Sequence, residues 1–246
     1  MKKKLIIAIG ALGTSLAMLP LFAAFEAHVI NVTAKIENAL SIHPESLQYG
    51  TVFPQEHLNS SFFMNFSQSF SETNQTRVGN VDYEIRQKPK PRESYVAQVG
   101  VEPARDWCHL NSPVDASNPN DPYYVNCYPN LCPYLSKHPD DNPAIGVNAF
   151  NDDGLPAFHD PSLEVASGTM AKFGAGGPPN TIDNDPGDTW TVDLAVPCFT
   201  GSCAQDWATF VHSLNPSADP DDYTLPPTLE HQVFGCDLWV EVTKIY

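Results

Sequence analysis

Between Ile30 and Ile42 the even positions read Ile30, Val32, Ala34, Ile36, Asn38, Leu40 and Ile42, and the odd ones Asn31, Thr33, Lys35, Glu37, Ala39 and Ser41. Successive side chains of a strand point to opposite faces, so this period of two predicts an amphipathic strand with one buried face. The run exceeds the roughly 5–6 residues of an ordinary strand, which makes it one long strand or two. His43-Pro44 ends it. The same alternation recurs downstream. Phe62, Met64 and Phe66 alternate with Phe63, Asn65 and Ser67, and Val81, Tyr83 and Ile85 with Asp82, Glu84 and Arg86. Trp190, Val192, Leu194 and Val196 point one way against Thr191 and Asp193, and Leu238, Val240 and Val242 oppose Asp237, Trp239 and Glu241. Tyr95 to Val101 reads as a further strand. Strands separated by turn clusters, with few helical periods, predict an all-β chain: a jelly-roll-like β-sandwich.

Residues 103–189 interrupt that pattern, being dense in Pro, Asn, Asp and Cys. Long loops within a compact domain are usually functional or stapled, and this stretch reads as a disulfide-stapled insertion. A short helix is expected near Pro129–Ser136 and another over Gln205–Leu214. Residues 28–246 are enough chain for a single β domain with a sizeable core.

The beginning of the chain adds a compartment. Lys2, Lys3 and Lys4 precede an apolar run from Leu5 to Phe25, with Pro20 near its end and small residues at Ala23, Ala24 and Ala27. This is the layout of a secretory signal peptide over residues 1–27, cut between Ala23 and Ala27. The alternative is an uncleaved anchor, because the run approaches the roughly 20 residues that span a bilayer. Membrane attachment is expected through that segment only, and the remainder is expected to be secreted, extracellular or at the cell surface. Removing the three lysines from the 13 Lys+Arg leaves ten against 29 Asp+Glu. A surface of that sign repels phosphate backbones and excludes nucleic acid as a partner.

Six cysteines lie between Cys108 and Cys236. An even count in an exported chain points to disulfides. Cys127 with Cys132 and Cys198 with Cys203 share the spacing C-x4-C, so each pair is expected to close a small loop and leave Cys108 to Cys236.

The leader, the strand His28-Val29-Ile30-Asn31-Val32-Thr33-Ala34 and the segment Leu47-Gln48-Tyr49-Gly50-Thr51-Val52-Phe53-Pro54 resemble the exported TasA/camelysin-type jelly-roll proteins. The likeness covers roughly the first 100 residues and the final strands, and it leaves out the cysteine-rich middle. The resemblance implies a subunit of extracellular fibres, a biofilm-matrix component in which the N-terminal strand of one copy completes a sheet of the next. An alternating strand beside a newly cut terminus suits such pairing, because ladder hydrogen bonds supply affinity and alternate side chains supply register. Ile30, Val32, Ala34 and Ile36 would then be the inserted side chains, the other reading being that the strand packs in its own sandwich.

Candidate chemistry is sparse. A zinc peptidase of the common type needs H-E-x-x-H on a helix. The eight histidines (His28, His43, His57, His109, His138, His159, His212, His231) contain no i, i+4 pair. There is no G-x-S-x-G elbow. No catalytic residue is assigned and no enzyme is expected, and no cofactor other than calcium is considered. Asp183, Asp185 and Asp188, set in Asp183-Asn184-Asp185-Pro186-Gly187-Asp188, are the candidate calcium ligands, since hard cations take six to eight oxygens. Asp152-Asp153-Gly154 and Asp219-Pro220-Asp221-Asp222 are shorter versions. Tyr123, Tyr124, Tyr128 and Tyr134 could line a glycan surface. The expected function is a self-associating structural subunit; the alternatives are a camelysin-type metal-dependent exported peptidase and a monomeric glycan- or protein-binding module.

Overall fold

A computed structural model describes residues 38–71, 79–139, 154–160, 165–172 and 186–246. All of these belong to one compact unit, Asn38–Tyr246. The strands are β1 (Leu40–His43), β2 (His57–Phe66), β3 (Asn80–Pro89), β4 (His138–Pro139), β5 (Val165–Ala171), β6 (Gly187–Ala195) and β7 (Cys236–Ile245). They form two antiparallel sheets, a four-stranded one in the order β1-β2-β6-β4 and a three-stranded one in the order β5-β3-β7. The chain is therefore mostly β with a few short helices. The leader and the alternating positions Ile30 to Ile36 lie outside the described residues.

Alternation carries the core. Phe62, Met64 and Phe66 of β2, Val81, Tyr83 and Ile85 of β3, and Trp190, Val192 and Leu194 of β6 are all buried in one shared cluster. Leu40 and Ile42 of β1 pack against it, opposite Phe66 and Met64. The two sheets meet at Tyr83 and Trp190, whose rings contact edge to face at 6.4 Å between centroids. Burying each such large side chain stabilises the fold by about 1.5–3 kcal/mol.

The stretch Tyr95–Val101, expected as a strand, is helical. After the one-turn helix Gln68–Ser71 (α1), Glu93–Val99 (α2) and Val101–Leu110 (α3) flank Gly100. Gly100 has φ +94°, a left-handed value glycine adopts without strain, and its amide closes α2 on the Val96 carbonyl. Ala104 and Cys108, four residues apart, form the buried face of α3. The segment 103–189 is likewise no loop insertion added to the sheets, because it supplies β5 and the start of β6. β5 lacks a hydrophobic signature: its inward positions opposite Ile85, Tyr83 and Val81 are Ala166, Gly168 and Met170. Gly168 is required there, since a Cβ would collide with the Tyr83 hydroxyl. The short helix expected near Pro129–Ser136 is a 3-10 turn at Cys132–Tyr134, and the other spans Trp207–Leu214.

Cysteine pairing also departs from expectation. Cys198–Cys203 forms as the spacing implied, but the bonds Cys127–Cys132 and Cys108–Cys236 do not. Cys108 of α3 joins Cys127 at the end of the short helix Pro122–Asn126, and Cys132 joins Cys236 at the first residue of β7. Helix α3 turns Cys108 toward the small core of Tyr123, Tyr124 and Leu229, which brings Cys127 within reach. Three disulfides fit an oxidising compartment. No helix among the described residues is long and apolar enough to cross a membrane.

Candidate assembly edge and buried polar centres

The three-stranded sheet ends in β7, whose ladder runs from Pro89↔Cys236 to Val81↔Ile245 with a shift beside Tyr83. Directly paired residues share a face. Val242 opposite Tyr83 and Ile245 opposite Val81 therefore point the same way as core residues. Yet Val242 is 38% and Ile245 49% exposed, while Tyr83 and Val81 are buried. Among the described residues no strand pairs with the outer edge of β7. The last part of this strand is thus an uncovered edge with an apolar inner face. Such an edge is a template for another strand. Its first residue is anchored through Cys132–Cys236.

Among the described residues, three of the buried polar centres involve residues of the sheets. In the first, the Tyr83 hydroxyl donates to Asp188 and accepts from Trp190 Nε1 at 2.8 Å. Asp188, a calcium candidate, is buried with its carboxylate turned to Tyr83; Asp183 and Asp185 lie outside the described residues. In the second, His138 Nε2 stands 2.9 Å and His57 Nε2 3.5 Å from Asp193 Oδ2. The Asp193 amide donates to Ser136 Oγ at 3.0 Å, and Tyr49 donates to the Val192 carbonyl at 2.6 Å. Burial alone would raise the Asp193 pKa, but hydrogen bonds and charge from His138 and His57 outweigh it and hold the carboxyl well below its usual range. Burial, and secondarily the Asp193 charge, pushes the Tyr49 hydroxyl up.

The third centre is His159, buried with Gln87 and Lys137. Its Nδ1–H donates to the Pro156 carbonyl at 2.8 Å, and its Nε2 accepts from the Gln87 amide. Burial first, and then the Lys137 charge, pushes its pKa down to about 3 against the opposing Pro156 bond. The imidazole is neutral at any physiological pH. The sequence offers no i, i+4 histidine pair, and no local spacing joins His57 and His138 to Asp193 or His159 to Gln87, because those partners stand far off along the chain. Among the described residues no group of three His, Cys, Asp or Glu side chains is placed to hold a metal ion.

The aromatic residues considered for glycan contact are mostly interior. Tyr123, Tyr124 and Tyr134 are buried, as are Trp190 and Trp207. Trp107 stacks on Tyr123, and Trp239 carries Lys88 Nζ at 3.5 Å and Arg105 at 4.8 Å over its ring. Tyr128 has Arg92 at 4.8 Å over its ring.

Fold and site together define a class: a disulfide-bonded protein of two antiparallel sheets in which, among the described residues, the outer edge of β7 is unpaired and apolar on its inner face. Comparison with protein-family models, with characterised proteins and with solved structures finds no match. The likeness to the TasA/camelysin type therefore rests on the short motifs quoted above.

Proposed function

We propose that the chain is a secreted or cell-surface structural subunit of jelly-roll type that self-assembles into extracellular fibres through its N-terminal strand. The observation that carries this reading is the uncovered β7 edge with core-facing Val242 and Ile245 exposed. An incoming strand with the alternation Ile30, Val32, Ala34, Ile36 would pair with that edge and lay its apolar side chains over the open part of the core. Head-to-tail insertion of this kind is a heterologous contact, which propagates into filaments when rotation does not close a ring. The non-sequential strand orders of both sheets support the jelly-roll assignment, and the three disulfides support export.

Electron microscopy of the purified protein lacking residues 1–27, beside a version lacking also residues 28–36, tests it. Filaments in the first sample and none in the second are expected. A protein that stays monomeric at high concentration, with and without calcium, overturns the reading.

A further inference from the structure

The outer face of the four-stranded sheet differs in chemistry from every other surface described so far. Its ladders align outward side chains in rows across the strands: His43, Phe63 and Thr189 in one, Ser61 and Thr191 in the next, then Asn59 and Asp193. None of the four strands contains a lysine or arginine. The one outward carboxylate in these rows, Asp193, is buried and taken up by His138. Apart from the imidazoles of His43 and His57, what remains outward is short, without formal charge and able both to donate and to accept hydrogen bonds.

Phe63 is the exception in this polar field. It is 41% exposed on the outward face. A Cβ at Gly187 would stand 2.5 Å from Phe63 Cζ and 2.8 Å from the Met64 carbonyl oxygen. The missing side chain of Gly187 thus lets the ring lie across the neighbouring strand with one face toward solvent. An aromatic face among hydroxyl and amide groups suits a ligand that is apolar on one side and hydroxylated at its rim.

We propose that this face binds a neutral, β-linked polysaccharide, with the Phe63 ring as the stacking platform and Asn59, Ser61, Thr189 and His43 as hydrogen-bonding partners around it. Neutrality follows from charge: an anionic polymer would find no lysine or arginine on these strands, and the chain as a whole, at net charge −16, repels it. Extension follows from the rows. Neighbouring strands lie about 4.8 Å apart, close to the advance of one hexose along an extended β-linked chain, so successive sugars crossing the sheet meet successive strands. The site does not depend on self-assembly, because all its residues come from one chain.

The test is calorimetric titration of the full exported chain with soluble β-linked oligosaccharides of glucose and, separately, of N-acetylglucosamine, with a sulfated polysaccharide as the charged control. Binding to at least one neutral probe and none to the sulfated one is expected. Phe63→Ala should weaken binding about tenfold, the equivalent of about 1.4 kcal/mol, while Phe63→Trp retains it. Phe63 is an outward side chain, and circular dichroism confirms that both variants fold. Absence of binding to both neutral probes, or binding that Phe63→Ala leaves unchanged, overturns the proposal.

Discussion

The two sheets share one core and differ in their outer faces and edges. On the outside of the four-stranded sheet the rows are hydroxyls, amides and one resting aromatic ring. On the three-stranded sheet the outer rows are charged: Arg86 meets Glu84 and, at 3.3 Å, Glu241, while Lys88 reaches Glu241 at 3.2 Å and lies over Trp239. Identical inward alternation therefore coexists with opposite outward chemistry. The inward half of each strand serves folding, and the outward half is free to be a surface for something else. Edge treatment differs as well. The β6 side is secured by polar contacts of Ser136 and His138 to Asp193, whereas β7 is held at its first residue by a disulfide and left open at its last.

Several perturbations separate these two ways of holding a sheet. The largest effect is expected from Cys132→Ala combined with Cys236→Ala. That bond spans 104 residues, and the chain-entropy account assigns roughly 4–5 kcal/mol to a loop of that order. Removing Cys108–Cys127, with its separation of 19, should cost nearer 3 kcal/mol, as for a loop of roughly 15–20 residues. Urea unfolding of the two double variants measures the gap; equal losses would mean that β7 does not depend on its tie.

Next comes the shared core. Ile85→Ala, at a fully buried position of the central β3, should cost about 2–5 kcal/mol with no change in the outer faces, read as a shifted denaturation midpoint with unchanged oligosaccharide titration. Asp193→Asn removes the carboxylate that His138 and His57 face. It should cost about 1.5–3 kcal/mol at neutral pH, the scale of a hydrogen bond to a charged group. Because the folded carboxyl titrates below its unfolded value, that contribution is present above about pH 3.9 and lost as pH falls below it.

His159 acts in a different window. Its folded pKa of about 3 lies below the unfolded value of 6.5, so below that value the unfolded chain takes up a proton that the folded chain refuses. Stability should fall by up to about 1.4 kcal/mol per pH unit as pH drops from about 6.5 toward 3. Comparing denaturation midpoints of the protein and of His159→Gln at several pH values isolates this slope; parallel curves would show that His159 does not carry it. The smallest effect belongs to the charged outer face. Arg105→Ala loses an ion pair to Asp237 at 3.6 Å and a place over Trp239. At this partly exposed position the cost should stay below about 1 kcal/mol, and high salt should shrink it further.

Strand positions with strong alternation were legible before any folding: β2, β3, β6 and β7 follow from their own residues, because a strand buries every second side chain whatever its neighbour is. A short helix over Gln205–Leu214 was expected as well, and the helix spans Trp207–Leu214. β5 was not, because its inward residues Ala166 and Gly168 are small to make room for Tyr83, and room for a neighbour leaves no hydrophobic mark. The stretch Tyr95–Val101 misled because a short apolar run has no decisive period, and Gly100 with the α3 face of Ala104 and Cys108 settled it as helix. Six cysteines announced disulfides, but their partners depended on which helix or turn faced which strand. The same holds for the sites. Phe63, Gly187 and Ser61, or Asp193 with His138 and His57, stand far apart along the chain, and strand register set them side by side. Periodicity is a local property of the backbone and can be read locally; juxtaposition is a property of pairing, and only the closed sheets bring it about.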